Sequence, residues 1–336
     1  MKFSVIVPVR SINDYLKENI EHIKKLSYRD YEVLIILDSS EKYDFNDRRF
    51  RVLSAGSVSP GEKRNVGVRN ASGEILAFLD DDAYPSVGWL SEAARIFEDK
   101  SVFALGAPDL TPQDASFLEK CSGRVLESCL TSGNTVFRHV PVKRRLINDY
   151  PTVNLFVRKD AFISVGGFTR EFWPGEDTKL CLDLVKKYGR KFLYDPMPVV
   201  FHHRRKLFIP HLKQISRYGW HRGQFVRIFP ENSRSIFYFI PSLFIVGLVV
   251  GFILSMFREF FWPLYLAFVG LYLVILVYEM AKVCFRDKSL KESLYVGAGI
   301  FLTNFVYGIN FIIGFLKRPR LKLKRIDPET GSYVEG

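Results

Sequence analysis

The 336-residue chain has little cysteine: Cys121, Cys129, Cys181 and Cys284 show no CxxC spacing. So few thiols are no disulfide framework, and they point to a reducing compartment. Internal repeats and long low-complexity tracts are also missing, which argues against a solenoid or a disordered chain. Charge is scarce in one place. Between residues 236 and 316 only Arg258, Glu259, Glu279, Lys282, Arg286, Asp287, Lys288, Lys291 and Glu292 carry it. Most of the net +12, from 48 Lys and Arg against 36 Asp and Glu, therefore lies outside that stretch. It is spread out and accompanied by no RNA- or DNA-binding motif, so nucleic acid is not expected as a partner. The opening apolar run is cut short by Pro8 and Arg10, too early for a secretory signal, and residues 1–235 are expected not to cross a membrane. What is present is a polar globular region followed by an apolar block.

Residues 236–256 are 21 consecutive positions without a charge. At about 1.5 Å per residue that matches a hydrocarbon core of roughly 30 Å. A second run, 260–281, is broken only by Glu279; a third, 293–316, has no charge but holds Asn304, Asn310 and four glycines. Two spanning helices are expected, with the third left open between spanning, re-entrant and interfacial placement. Lys282, Arg286, Lys288 and Lys291 flank the second run, whereas the turn after the first has only Arg258. The excess of cations favours a cytoplasmic amino-terminal domain. Lys317, Arg318, Arg320, Lys322, Lys324 and Arg325 would prefer that side too, in conflict with a third crossing. The chain is accordingly read as a domain over 1–225, a connector over 226–235, a membrane region over 236–316 and a basic tail over 317–336, in a multi-pass cell-membrane protein.

Within the first region, residues 3–9, 32–37 and 75–79 are β-branched or aliphatic runs of the kind a doubly covered parallel strand uses. Leu16, Ile20, Ile23 and Leu26 recur at helical spacing between the first two, and 61–71 reads as a helix before the third. Alternating strands and helices predict an α/β fold with a mainly parallel sheet, whose ligands sit beyond the carboxyl ends of the strands. Asp38 ends the second run and Asp80, Asp81 and Asp82 end the third. Adjacent carboxylates repel, so their gathering at a strand tip suggests a cation, and hard oxygen donors suit Mg²⁺ or Mn²⁺.

The stretches Ser4-Val5-Ile6-Val7-Pro8, Asp38-Ser39-Ser40, Gly61-Glu62-Lys63-Arg64-Asn65, Gly73 through Asp82, Val165-Gly166-Gly167-Phe168 and Gly175-Glu176-Asp177 together resemble family 2 glycosyltransferases in order and spacing. The resemblance covers about residues 3–225. It implies a GT-A fold, a UDP- or GDP-sugar donor, a divalent metal, and inversion at the anomeric carbon. Position by position it implies that Pro8, Asp38, Arg64, Asn65, Asp80 and Asp81 line the nucleotide-sugar site. Asp38 would meet the base, Arg64 and Asn65 the nucleotide, and Asp80 the ribose. Asp82 would ligate the metal, with His202 or His203 as a further ligand, alternation leaving open which. Asp177 would be the general base, with Glu176 beside it at a helix start, toward acceptor or diphosphate.

Further on, Gln214, Arg217 and Tyr218 look like the QxxRW element of processive synthases, with Tyr218 in place of tryptophan. That departure weakens processivity. They could meet acceptor or diphosphate, or belong to an interfacial helix with Ile209, Leu212, Ile215, Tyr218 and His221 on one face. The expected activity is sugar transfer to a lipid-linked or glycan acceptor at the bilayer. The alternatives are a polyprenyl-phosphate sugar transferase, a processive polysaccharide synthase, or a membrane scaffold with a degenerate transferase domain.

Overall fold

The computed structural model describes residues 1–41, 43–169, 175–317, 324–326 and 333–335. In chain order the elements are β1 (Phe3–Pro8), α1 (Asp14–Lys24), β2 (Tyr31–Leu37), β3 (Phe50–Ser54), α2 (Pro60–Asn70), β4 (Ile75–Leu79), β5 (Ala83–Pro85), α3 (Trp89–Phe97), β6 (Ala104–Gly106) and β7 (Asp109–Leu110). Next come α4 (Phe117–Leu126), α5 (Cys129–Ser132), β8 (Arg145–Ile147), β9 (Asn154–Arg158), α6 (Lys159–Ser164), α7 (Glu176–Tyr188), β10 (Phe192–Tyr194) and β11 (Val200–His202). The helices α8 (Ile209–Ile228), α9 (Pro230–Ser233), α10 (Ile236–Phe257), α11 (Phe261–Asp287) and α12 (Leu290–Leu316) follow, then β12 (Lys324–Ile326) and β13 (Tyr333–Glu335). Two compact units form: the described parts of 1–110, 140–202 and 320–336 make the first, and those of 111–139 and 203–319 the second. Residues 111–139 and 203–225, which the sequence reading assigns to the amino-terminal domain, thus pack with the apolar helices.

The first unit is built on an eight-stranded sheet of order β3-β2-β1-β4-β9-β6-β10-β8. Its β3-β2-β1-β4 half is parallel throughout, while β9 runs antiparallel to both neighbours. The runs read as strands are buried on both faces: every residue of β1, β2 and β4 is buried. Each buried aliphatic side chain contributes about 1.5–3 kcal/mol, and these strands form the core. Helix α1 starts where Asn13 Oδ1 accepts the Leu16 amide at 2.8 Å, and it turns Leu16, Ile20 and Ile23 onto the sheet. Ser59 caps α2 and Pro60 occupies its first turn, where a missing N–H costs nothing.

A second, three-stranded sheet of order β5-β11-β7 lies beyond the β4 tip. Buried Asn154 anchors it, donating to Pro108 O at 2.9 Å and Pro198 O at 2.7 Å while accepting from Trp89 Nε1 at 2.9 Å. The register sets His202 opposite Ala83, beside the last residue of the acidic run.

In the second unit α10, α11 and α12 are 22, 27 and 27 residues long, each long and apolar enough to cross a membrane. Helix α8 buries His211, Ile215, Gly219 and Gly223 at a spacing of four, with Gln224, Phe225 and Val226 at its end; of the expected stripe Ile215 is buried, while Ile209 and Tyr218 are exposed. A Cβ on Gly219 or Gly223 would run into the α12 main chain at Tyr307 or Phe311, so the two helices meet backbone to backbone.

Candidate active site

Asp38 ends β2, the Asp80-Asp81-Asp82 run follows β4, and Glu176 and Asp177 open α7. The side chains of the acidic run diverge. Asp80 Oδ1 accepts from Arg64 Nη2 at 2.6 Å, Asp81 Oδ2 from Asn13 Nδ2 at 2.9 Å, and Asp82 Oδ1 stands 3.3 Å from His202 Nε2. Each carboxylate of the run thus meets a different partner: Arg64, Asn13 and His202. Burial pushes the Asp81 carboxyl up to about 6; the Asn13 bond holds it down, and Asp82 and Asp80 raise it.

Arg64 is the hub. Its side chain is 4% exposed, and its second nitrogen, Nη1, donates to Glu176 Oε1 at 3.0 Å, so one guanidinium joins the β4 tip to the start of α7. Burial and the adjoining Asp177 raise the Glu176 carboxyl above its usual range, against the pull of Arg64. Arg64 itself stays charged, because Asp80 and Glu176 outweigh the cost of its burial. Asp177 is half-buried, and its Oδ1 accepts from the Thr178 amide at 2.7 Å.

Asn65, which the resemblance places near the nucleotide, bonds to the loop that ends at Phe168. It is buried, and its amide donates to Phe168 O at 2.9 Å and accepts from Phe168 N at 3.0 Å. Gly166 and Gly167 have φ of 76° and 72°, a left-handed turn that presents both main-chain groups of Phe168 to it. Asn65 thus braces this loop.

Lys63 was within the motif but carried no assigned role; its Nζ pairs with Asp38 and donates to Val9 O at 2.7 Å, joining Asp38 to the end of β1 beside buried Pro8. Asn19, also missed, donates to Asp80 O at 3.2 Å and Ala83 O, holding the acidic turn. The Lys63–Asp38 pair spans 25 residues and the other three contacts more than fifty, so no local pattern announces them.

Among the described residues no group of three or more His, Cys, Asp and Glu side chains forms that could hold a metal. The juxtaposed Asp82 oxygen and His202 nitrogen supply two donors, which fits a divalent ion completing its shell with diphosphate oxygens and water. His203 belongs to the second unit. Gln214, Arg217 and Tyr218 lie on α8, also in that unit, where Gln214 Nε2 donates to Tyr218 Oη at 2.9 Å. The Trp173-Pro174 segment before Gly175 lies outside the described residues.

Residues 4–166 match the family description Glycosyl transferase family 2. Over 215 residues the chain is 31% identical to the pre-mycofactocin glycosyltransferase of Mycobacterium tuberculosis, covering 61% of this chain and 43% of that one. The chain thus spans less than half the length of that relative. It is 24% identical over 236 residues to the glucosyl-dolichyl phosphate glucuronosyltransferase of Haloferax volcanii, covering 62% and 70%. Among solved structures, the mannosyltransferase PcManGT of Pyrobaculum calidifontis, in complex with GDP-Man and Mn²⁺, shares the fold at a TM-score of 0.56 and 16% identity, covering 94% of this chain and 87% of that one.

Proposed function

We propose that this chain, which carries a glycosyl transferase family 2 domain over residues 4–166, is an inverting, metal-dependent glycosyltransferase. It moves a sugar from a UDP- or GDP-sugar to a lipid-linked acceptor at the cytoplasmic membrane face, in glycan or glycolipid synthesis. The observation that carries the reading is the Arg64 bridge from Asp80 to Glu176, which ties a donor-side strand tip to the carboxylate pair at the head of α7. A metal-dependent transferase needs both halves held in one frame: charge stabilisation at the leaving diphosphate and a base at the attacking hydroxyl.

The residues divide accordingly. Asp38, fixed by Lys63, recognises the base, and Asp80 the ribose. Asp82 and His202 would hold Mg²⁺ or Mn²⁺, which when bound neutralises the charge gathering on the leaving diphosphate. Asp177 accepts the acceptor's proton. Glu176, committed to Arg64 and to the Gly175 amide at 3.1 Å, orients rather than reacts. The three apolar helices support a membrane setting, and the dolichyl-phosphate-linked acceptor in the Haloferax relative's name supports a lipid-linked saccharide as the acceptor class.

The test is a membrane-fraction assay of nucleotide sugars against lipid-linked acceptors, with Mn²⁺, Mg²⁺ or EDTA. Chelation should abolish transfer. Asp82→Asn should lower turnover by about 10²-fold or more, on the scale of losing a key electrostatic contact to the departing group. His202→Ala should raise the metal concentration needed for half-maximal rate. Transfer indifferent to EDTA, or an Asp82→Asn enzyme of near-normal rate, would remove the metal from the reaction.

A further inference from the structure

Three helices are long enough to span a bilayer, but the third has a polar companion. Helix α8 runs alongside the second half of α12 in the same direction. His211 Nε2 meets Thr303 Oγ1 at 2.9 Å, Gly219 packs on Tyr307, Gly223 on Phe311, and Arg227 Nη1 donates to Phe315 O at 3.1 Å and Lys317 O at 3.2 Å. Whatever depth residues 303–317 occupy, α8 occupies too. That helix carries Lys213, Arg217, Arg222 and Arg227 and no acidic residue, with Lys213, Arg217 and Arg227 exposed. Cations at the centre of a bilayer are costly, and nothing on α8 offsets them.

The length leaves no escape. If residues 303–317 stay out of the hydrocarbon, the remaining thirteen positions of α12 reach only about 20 Å, short of the roughly 30 Å a crossing requires. That part also has protein beside it, with Lys291 over the Phe117 ring of α4 at 4.9 Å and Gly299 against Val125 and Leu207. The large apolar side chains that α12 exposes form one stripe: Leu290, Leu294, Phe301, Phe305, Phe315 and Leu316 fall within roughly 100° of one another, with Ile313 to one side, all inside half a turn.

We propose that α12 does not cross the bilayer. It lies with α8 in the headgroup layer, its stripe in the acyl chains and the α8 cations at the level of anionic lipid phosphates. Only α10 and α11 span, which returns the chain to the side from which it entered. Residues 235 and 317 then lie on one side. This removes the conflict in charge: Lys282, Arg286, Lys288, Lys291 and the basic run from Lys317 onward share that side, and only the turn with Arg258 and Glu259 is opposite. The inference is independent of the proposed activity: Arg217 enters it only as one of the α8 cations, and no other candidate site residue is used.

The test is sidedness. In a full-length chain with its four cysteines replaced by alanine, Lys2→Cys, Glu259→Cys and Gly336→Cys are labelled singly with a membrane-impermeant maleimide in sealed vesicles of known orientation. Gly336→Cys should label from the same face as Lys2→Cys, and Glu259→Cys from the other. Labelling of Gly336→Cys with Glu259→Cys would show a third crossing and overturn the proposal. Should the cysteine-free chain fail to accumulate, green fluorescent protein and alkaline phosphatase fused in turn before residue 1 and after residue 336 of the unaltered chain give the same decision. Matching reporter responses at the two ends support it, and opposite responses refute it.

Discussion

Replacing Arg64 with methionine removes a cation but keeps most of the volume of its stem, so the loss reports the charge and its bonds. Two carboxylates lose a partner: Glu176, whose side chain is 6% exposed, and Asp80, at 30%. Breaking a buried pair by deleting one member costs about 3–5 kcal/mol. Water reaches Asp80 and discounts its share. Glu176, already held high by burial and by Asp177, escapes part of the penalty by taking up a proton. The lower end, about 3 kcal/mol, is therefore expected, which for a unit of this size lowers the melting temperature by roughly 6–12 °C.

The pH dependence has a definite sign. A carboxyl whose folded pKa is raised adds stability below its unfolded value and loses it as pH rises through the folded one, so the Arg64→Met deficit should be larger at pH 8 than at pH 6. Thermal unfolding of the full chain in detergent, followed by intrinsic fluorescence, measures both. Adding Glu176→Gln to Arg64→Met should recover part of the loss, a coupling within the range of about 0.5–3 kcal/mol seen for contacting pairs. A single variant that melts within a degree of the unaltered protein at both pH values would refute the assignment of Arg64 as the link between strand tip and helix.

Asp177→Asn should lower transfer to a hydroxyl acceptor by about 10²–10⁴-fold. A small effect would instead indicate an acceptor oxygen that is already anionic, as in a polyprenyl phosphate. His211, bonded to Ser122 Oγ and Thr303 Oγ1 at 2.9 Å each, is pulled down to about 4 by burial, with Arg204 adding. A histidine lowered from 6.5 gives stability that is complete above that value and lost as pH falls toward 4, up to about 3 kcal/mol. His211→Gln should flatten that acid limb in a melting-temperature series from pH 7.5 to 4.5. Gly223→Ala drives a methyl into the Phe311 carbonyl and should destabilise by about 1–3 kcal/mol, read as a lower melting temperature of the whole chain.

The parts of this protein readable from sequence are those set by neighbours along the chain. Aliphatic runs became β1, β2 and β4, and the aspartates that follow the second and third of these stand at strand tips because a parallel sheet puts them there. What each carboxylate does is set by residues remote in sequence, and there the reading reached its limit. Arg64 is 16 residues from Asp80 but 112 from Glu176. Alternation could not choose between His202 and His203, because the choice depends on pairing between β11 and β5, a contact across more than a hundred residues that sets His202 opposite Ala83. The face of α8 escaped for another reason. Apolar periodicity marks a helix face by what its side chains bury, and Gly219 and Gly223 bury the partner's backbone by having none. The same blind spot governs the third apolar segment. Its composition alone qualifies it as a span, yet the glycine-bearing helix pressed against it, α8, is cationic. Membrane depth belongs to the pair, so a hydropathy reading of α12 by itself answers a question about half of a two-helix object.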